Sequence, residues 1–438
     1  MENKNVKDAK TWKSIDFSSI LEIKKDRIIG LTFPPQNTTL GLEPSILTVL
    51  PDGNNVEYNL KNIEFNNSSV KYYLCSVYIA GMDEFKEWAN RHDRNKIIVG
   101  GYQPTMFPEE FTNYASKIVV GPCDDFCATI SQEGQIIKGI TTYKRIPRYD
   151  LYDCKYNHQI VPDAKSDSIF SSINTSIGCP FKCDFCCSPI MAPKIMSKPI
   201  DLVEKEAKAI NERYNPDYLF IRDENFPLQK DWKERLEVIS SCMPKAKIYL
   251  FASANLLDED TVSFMKSHNV YMICLGLEDI TVSYGKNKDL DAVCSLLKKH
   301  DIYVYLSFIV NPLKIVGREQ GEEFYRKLME RFNELKPEMV CGNFLMPFRG
   351  TKLWDEYFQF VSSEDYKYYD SKTPFLIRNK VLREKMQFFM FYYQWLYYTS
   401  ETYNKIRTFK CNDTLHLRFE ELKEEFYTLY ERIWNVRC

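Results

Sequence analysis

The stretch that decides the fold is Asn174–Pro189, which reads NTSIGCPFKCDFCCSP. Within it Cys179, Cys183 and Cys186 stand at the spacing C-x3-C-x2-C. Soft thiolate ligands suit iron–sulfur clusters, and three of them on one short loop can hold three irons of a cubane cluster. The fourth iron of such a cluster would have no protein ligand and could bind a substrate or a cofactor directly.

A zinc knuckle and a set of buried thiols are the alternative interpretations of this loop. Zinc needs a fourth ligand, yet the only histidine nearby is His158. Cys187 is adjacent to Cys186, which places it poorly for sharing one tetrahedron. The spacing and the aromatic Phe185 before the third cysteine both favour the cluster.

The motif resembles that of the radical S-adenosylmethionine (SAM) enzymes, in which an aromatic residue precedes the last cysteine as Phe185 does here. The resemblance implies a 4Fe-4S cluster on Cys179, Cys183 and Cys186, with Phe185 beside the cofactors. It also implies that the open iron takes the amino and carboxylate groups of SAM. One electron would then cleave SAM to methionine and a 5'-deoxyadenosyl radical, so the three cysteines are also the expected catalytic residues.

Length and composition describe an ordinary globular chain. It has 438 residues, 44% of them hydrophobic, which is enough for two or three packed units. The net charge of -2 does not indicate the basic surface that nucleic-acid binding requires. The fourteen cysteines and an N-terminus without an apolar signal core favour reduced thiols and a cytoplasmic location. The longest apolar run, 388–398, is shorter than the ~20 residues that a membrane span needs.

The region before the cysteine motif predicts a small parallel α/β domain over 26–135, after a polar leader at 1–25. Apolar strand-like runs at 27–33, 70–80, 97–99 and 117–120 alternate with helical segments there. A linker without apolar periodicity follows at 136–170.

This domain resembles the cobalamin-binding, Rossmann-like domain that precedes the radical domain in one large radical SAM class. The marks of the resemblance are Phe33-Pro34-Pro35, VGGYQPTMFPEE at 99–110 and IVVG at 118–121. No Asp-x-His-x-x-Gly motif is present, so no histidine is placed as a ligand to cobalt. The resemblance therefore leaves cobalamin open as a further cofactor.

Three other cysteines, Cys123, Cys127 and Cys154, raise the question of a second cluster. Cys123 and Cys127 repeat the first interval of the main motif. The alternative is a strand-end turn and a linker with free thiols. The sequence favours the turn and linker, and the second cluster stays the alternative.

From residue 171 to residue 360 the pattern of strand, turn and amphipathic helix repeats six times. Right-handed crossovers would curl these strands into an open (β/α)6 partial TIM barrel, with its active mouth at the carboxyl ends of the strands. A helical, aromatic-rich region follows at 361–438, where a lid over that mouth is expected. The predicted fold class is thus α/β, with a Rossmann-like domain before the barrel and a helical region after it.

Polar residues at the predicted strand ends are the candidates for binding SAM. SAM presents an ammonium group, a carboxylate and a ribose diol, which carboxylates, amides and an arginine can bind. The resemblance to the cobalamin-associated radical SAM class includes the segments Asp223–Phe226, Gly276–Glu278 and Pro347–Thr351. It makes Glu278 the first candidate for contact with SAM. A helix N-cap is the competing role for Asp223 and Ser253. The full set of candidates is Asp223, Glu224, Ser253, Asn255, Glu278, Asn311 and Arg349.

The expected function is hydrogen abstraction from an unactivated carbon of a natural product or a peptide, leading to C-methylation if cobalamin binds. An external one-electron reductant such as flavodoxin or ferredoxin would be a partner. One alternative is a cobalamin-independent peptide epimerase or cross-linking maturase, for which Cys274 and Cys341 are conceivable hydrogen donors. Another is a non-catalytic cluster protein that transfers electrons or senses redox state.

Overall fold

The structure is a computed structural model that describes residues 26–33, 45–59, 69–153, 161, 164–165, 167–282 and 289–406. The polar leader at 1–25, Pro34-Pro35, Cys154 and the end of the C-terminal region at 407–438 lie outside these residues.

The first domain is a six-stranded sheet of order β2-β1-β3-β4-β5-β6, and every pair in it is parallel. The strand order reverses between β1 and β3, and ligands of open parallel sheets bind outside the carboxyl ends of the strands near such a reversal. The strands are β1 (Arg27–Phe33), β2 (Val56–Asn59), β3 (Val70–Val77), β4 (Ile97–Gly100), β5 (Lys117–Val120) and β6 (Ile136–Lys138).

Aromatic side chains fill one side of this sheet. The short helices are α1 (Met82–Ala89), α2 (Tyr102–Met106) and α3 (Phe126–Ile130). Phe85 and Trp88 of α1 pack on Phe33 of β1, with ring centroids 5.3 and 5.5 Å apart. The four predicted strands are present. β2 and β6 are additional strands too short to show a clear pattern, and β6 lies in residues that the sequence assigned to the linker.

The second domain confirms the open partial barrel. Its sheet has the order β14-β13-β12-β11-β10-β7, again all parallel, so β7 and β14 are its two edges. The strands are β7 (Phe170–Ile173), β10 (Tyr218–Ile221), β11 (Lys247–Phe251), β12 (Val270–Glu278), β13 (Tyr303–Val310) and β14 (Met339–Phe344).

Amphipathic helices cover the outer face of the barrel, as their spacing predicts. The crossover helices are α5 (Ile200–Tyr214), α6 (Trp232–Cys242), α7 (Glu259–Ser267), α8 (Leu290–Lys299) and α9 (Arg318–Leu335). Between β7 and α5 the chain forms an antiparallel pair, β8 (Ser176–Ile177) with β9 (Met196–Ser197), and the short helix α4 (Ser188–Met191). Helix α10 (Lys352–Tyr357) follows β14.

Helix α11 (Lys380–Thr399), which precedes α12 (Glu401–Ile406), lies along the free edge of β14. The Tyr398 hydroxyl accepts from Val340 N at 2.9 Å and donates to Val340 O at 3.2 Å. Gly342 N donates to Gln394 Oε1 at 3.3 Å. Side chains thus satisfy an edge that would otherwise be open to pairing. The lid expected over the barrel mouth stays a prediction, because residues 407–438 of this region lie outside the described residues. Within the described residues, no helix is both long enough and apolar enough to cross a membrane.

Candidate active site

The cysteine loop starts at a close approach between two backbone segments. Gly178, directly before Cys179, has φ +99, a left-handed conformation that favours glycine. A Cβ atom there would lie 2.4 Å from Lys194 O and 2.6 Å from Ala192 O. The loop is therefore pressed against the segment leading into β9, and only glycine fits this position without displacing that backbone.

The three motif cysteines lie on one tethered loop. Cys179 is buried, Cys183 and Cys186 are half-buried, and none of the three forms a disulfide. Cys186 N donates to Cys183 O at 3.1 Å, which closes a turn between those two cysteines. Asp184 O accepts from Leu353 N at 3.1 Å, so the loop is also tied to α10.

The donor chemistry of this loop fits a cluster. In the part of the chain that the structure describes, no group of three or more His, Cys, Asp or Glu side chains is arranged to hold a single metal ion. The motif offers three cysteines on one loop, none of them in a disulfide. Three cysteine thiolates are the ligands of an iron–sulfur cluster with one open iron.

Asp223 holds the backbone that leads into the loop. Its fully buried carboxylate accepts from Thr175 N at 2.7 Å, Thr175 Oγ1 at 2.6 Å, Ser176 Oγ at 2.7 Å and Gln229 Nε2 at 2.7 Å. Burial raises the pKa of Asp223, and the hydrogen bonds from Thr175 and Ser176 oppose that shift. The structure thus places Asp223 beneath the cysteine loop, where it positions the residues before Cys179.

Glu224 makes the next contact along the loop. Its Oε2 accepts from Gly178 N at 3.1 Å. Burial raises the pKa of the Glu224 carboxyl. Asp223 and Glu224 are therefore brought to the cysteine loop, as their place after β10 predicts. The contacts described are to protein atoms, and binding of SAM by these two carboxylates stays a prediction.

Ser253 follows β11 and pairs with Asn225, which lies in the strand-end segment Asp223–Phe226 after β10. Asn225 Nδ2 donates to Ser253 Oγ at 2.7 Å, and Ser253 N donates to Asn225 Oδ1 at 3.1 Å. This reciprocal pair links the ends of β10 and β11. Asn255, two residues further on, is exposed.

Glu278 occupies a distorted position at the end of β12. Its φ is +59, rare for a residue with a side chain, and the β12–β13 register shifts between Gly276 and Glu278. The carboxylate folds back over Gly276, where a Cβ atom would lie 2.0 Å from Glu278 Oε1. Such conformations persist where the surrounding structure imposes them, often at functional sites. The buried Glu278 carboxyl is thus held at the rim of the barrel.

Asn311 and Arg349 engage protein atoms. Asn311 is buried, accepts from Leu313 N at 3.1 Å and donates to Tyr357 OH at 3.2 Å. Arg349 pairs with Glu109 of the first domain and donates to Met106 O at 3.0 Å. Its guanidinium lies 4.9 Å from the ring centroid of Phe107. The arginine predicted to bind the SAM carboxylate therefore joins the two domains in this structure.

On strand β13, side chains that face the inside of the barrel are less buried than those that face outward. Along β13 the burial alternates, with the outer-face residues buried and the inner-face Tyr305 and Ser307 half-buried. Cys341 and Asn343 of β14 lie beside them, and Asn343 Nδ2 donates to Ser307 Oγ at 3.2 Å. Burial, Cys341 and Cys274 raise the pKa of Tyr305 well above its usual value. Sequence reasoning missed Ser307 and Asn343, although alternation along these strands could have placed them on the inner face.

A cavity of about 270 Å³ lies between the two domains. The first domain lines it with the carboxyl ends of β3, β4 and β5, and the barrel lines it with Ile177, Arg222 and Glu224. Gly101 has φ +105, and a Cβ atom there would lie 3.3 Å from Ser76 Oγ, so the turn after β4 is tightly packed. The buried Thr141 hydroxyl in the lining has no hydrogen-bond partner among the described residues.

Tyr102 connects this cavity to the cysteine loop. It follows the glycine turn after β4 and lines the cavity. Burial, Cys187 and Glu224 raise the pKa of the Tyr102 hydroxyl. Burial and Cys186 in turn raise the pKa of Cys187 to about 12.

The proposed second cluster remains a hypothesis. Cys123 lines the interdomain cavity, and its Sγ lies 3.2 Å from Thr129 Oγ1. Cys127 is exposed, and Cys154 is outside the described residues. Burial raises the pKa of Cys123.

Comparison with known proteins agrees with this geometry. Residues 173–357 match the model of the Radical SAM superfamily. No curated protein sequence matches the chain. The radical S-adenosylmethionine methyltransferase TsrM from Kitasatospora setae, with cobalamin and a [4Fe-4S] cluster bound, has a similar fold, with a TM-score of 0.55 and 13% identity over 77% of this chain and 78% of that chain. Its structure with tryptophan substrate and a SAM analogue gives a TM-score of 0.54 and 14% identity over 76% of each chain. The segment 173–357, which contains the cysteine loop, is therefore similar to the Radical SAM superfamily.

Proposed function

We propose that this chain is a cobalamin-dependent radical SAM methyltransferase that methylates an unactivated carbon of a small molecule or peptide. The observation that carries the proposal is the interdomain cavity. One wall is the carboxyl edge of the first sheet, and the other is built from residues next to the cysteine loop, Ile177 and Glu224. A ligand there would touch both domains and lie beside the loop that holds the cluster.

Each part of the barrel mouth has a role in this proposal. Cys179, Cys183 and Cys186 would hold the 4Fe-4S cluster, which when bound supplies the electron that cleaves SAM. Asp223 fixes the loop through Thr175 and Ser176. The Glu278 carboxylate, held at the rim, would accept hydrogen bonds from the ammonium or ribose of SAM.

The strand order of the first domain and the carboxyl edge of its sheet support the proposal that it binds cobalamin. Cobalamin, when bound, supplies the methyl group. The Kitasatospora setae methyltransferase of similar fold is described with cobalamin bound, and the likeness covers 77% of this chain, more than the barrel segment alone. The tight glycine turn at Gly100–Gly101 allows a ligand to approach the backbone, and the unpartnered Thr141 hydroxyl offers a polar contact.

Two measurements on anaerobically reconstituted protein test the proposal. With dithionite and SAM, 5'-deoxyadenosine should form in the intact protein and vanish in Cys179→Ala, Cys183→Ala or Cys186→Ala. After incubation with hydroxocobalamin and desalting, the corrin absorbance should remain at one equivalent per chain. Absence of 5'-deoxyadenosine in every form would favour the non-catalytic cluster protein instead.

A second candidate is hydrogen return to a substrate radical, as in a peptide epimerase. It is favoured by the inner-face thiols Cys274 and Cys341, both close enough to Tyr305 to raise its pKa. The S–H bond would break as the C–H bond forms, and the sulfur radical would take one electron from a flavodoxin-type reductant and a proton from solvent. If the protein does not retain cobalamin but still cleaves SAM, the second candidate is favoured instead.

A further inference from the structure

The segment 370–373 presents a lysine to the inner face of the barrel. The Asp370 carboxylate accepts from Lys372 N at 2.8 Å and from Thr373 N at 2.7 Å. Ser371 between them has φ +60, and its carbonyl accepts from Phe344 N at 2.8 Å. Gln387 of α11 donates to Lys372 O at 3.0 Å. These four hydrogen bonds hold the turn in a strained conformation and fix the position of the Lys372 backbone.

The Lys372 ammonium meets only neutral acceptors in the part of the chain that the structure describes. Its Nζ donates to Gly342 O at 2.6 Å, and lies 3.4 Å from Asn343 Oδ1 and 3.4 Å from Cys341 Sγ. The ion pairs of the described residues include none to Lys372. A half-buried ammonium without an opposite charge is costly unless a charged partner arrives.

Neighbouring groups on the same face complete a polar subsite. Asn343 and Ser307 are joined by a hydrogen bond of 3.2 Å, and Ser307 stands opposite Cys341 in the β13–β14 register. Lys372, Asn343, Ser307 and Cys341 are all half-buried, so this face is reachable from the barrel interior. An anionic oxygen placed here could accept from the ammonium, the amide and the hydroxyl together.

We propose that Lys372, Asn343 and Ser307 form a subsite for the carboxylate of the substrate, which makes the substrate an organic carboxylate. The inference rests on the proposed function for the existence of a substrate in the barrel. It is independent of whether cobalamin binds. It assigns the carboxylate to the substrate rather than to SAM.

Cys341 allows the subsite to be probed without knowing the substrate. Iodoacetate and iodoacetamide both alkylate a thiol with loss of iodide, but only iodoacetate carries a carboxylate. The ratio of their rates at Cys341, followed by peptide mass spectrometry on the reconstituted protein, reports attraction of a carboxylate to this place. Exposed Cys127 in the same chain is the internal reference. Any effect of Lys372 on thiol reactivity itself acts on both reagents and cancels in the ratio.

We expect the iodoacetate-to-iodoacetamide ratio to be about tenfold higher at Cys341 than at Cys127, as one charge-assisted hydrogen bond implies. Lys372→Gln should bring the ratio at Cys341 down to that of Cys127, and Lys372→Arg should preserve the preference. Equal ratios at both cysteines in the unmodified protein would overturn the proposal. Because the readout needs neither SAM cleavage nor cobalamin, its failure is distinct from failure of the proposed function.

Addition of SAM separates the two sources of a carboxylate. If the subsite belongs to the substrate, the preference at Cys341 persists with SAM bound. If SAM abolishes the preference while iodoacetamide still reacts, the ammonium binds the SAM carboxylate, and the assignment to a substrate is wrong.

Discussion

At the scale of single residues, the cysteine motif and the strand-end residues differ in how far the sequence could predict them. Cys179, Cys183 and Cys186 have a spacing that allows few interpretations, and the structure places them on one loop. Asp223 and Glu224 were predicted at the right place, the end of β10. Their partners could not be predicted, because the hydrogen bonds to Thr175 and Gly178 join residues 48 and 46 positions apart.

Glu278→Gln should weaken SAM binding and leave the cluster intact. The change removes one charge at the barrel rim without touching a motif cysteine, so the loss should be about 1.5 to 3 kcal/mol, or roughly tenfold to a hundredfold in affinity. Equilibrium binding of SAM to the reconstituted variant measures this loss, and the iron content serves as the control. An affinity equal to that of the unmodified protein would remove Glu278 from the site.

Gly178→Ala should prevent normal loading of the cluster. The new Cβ atom would meet the carbonyls of Ala192 and Lys194 well inside van der Waals distance, and the loop would have to move. Gly121→Ala is the matched control, because Gly121 also has positive φ but its Cβ atom would meet nothing closer than 3.9 Å. Iron per chain after reconstitution is the measurement. Equal iron content in the two variants would contradict this explanation.

At the scale of elements, the six barrel strands and their helices were predictable because each has a strong apolar period. β2 and β6 were not, because β2 (VEYN) has no run of apolar residues and β6 (IIK) has only three residues. The role of α11 also escaped the sequence. Its aromatic residues show that it is buried, but they do not show that Tyr398 and Gln394 take the place of a neighbouring strand along β14.

Tyr398→Phe should destabilise the fold by about 1 to 3 kcal/mol, because it leaves the buried N–H and C=O of Val340 without their partner. Thermal unfolding measures the loss, and faster amide hydrogen exchange at Val340 locates it. Tyr114→Phe is the control, since no hydrogen bond of the Tyr114 hydroxyl is found among the described residues. A change of the same size in both variants would count against the edge-cover role of Tyr398.

At the scale of the whole molecule, the two α/β units could be predicted, but the way they meet could not. The contact is built from groups distant in sequence, such as Arg349 with Phe107 and Tyr366 with Glu110. Apolar periodicity predicts which faces of the strands and helices are buried, but it says nothing of these pairs. The cavity between the domains is likewise a product of their arrangement.

Arg349→Ala should leave SAM affinity within about twofold and lower stability by about 1 kcal/mol, the sum of an exposed ion pair and a contact with an aromatic ring. Binding of SAM and thermal unfolding are measured on the same preparation. Lys299→Ala, which removes the exposed ion pair to Glu259 at 2.8 Å between two outer helices, is the control for loss of an exposed cation. A tenfold loss of SAM affinity in Arg349→Ala alone would restore the role that the sequence predicts for this residue.

The position of the cavity between the domains has a thermodynamic consequence. Because its walls come from both halves of the chain, a molecule that binds there binds only the docked, folded arrangement. By linkage, it then raises the free energy of unfolding by about 2.7 kcal/mol at a concentration one hundred times its Kd. With hydroxocobalamin as the titrant, the unfolding temperature should rise steadily with concentration.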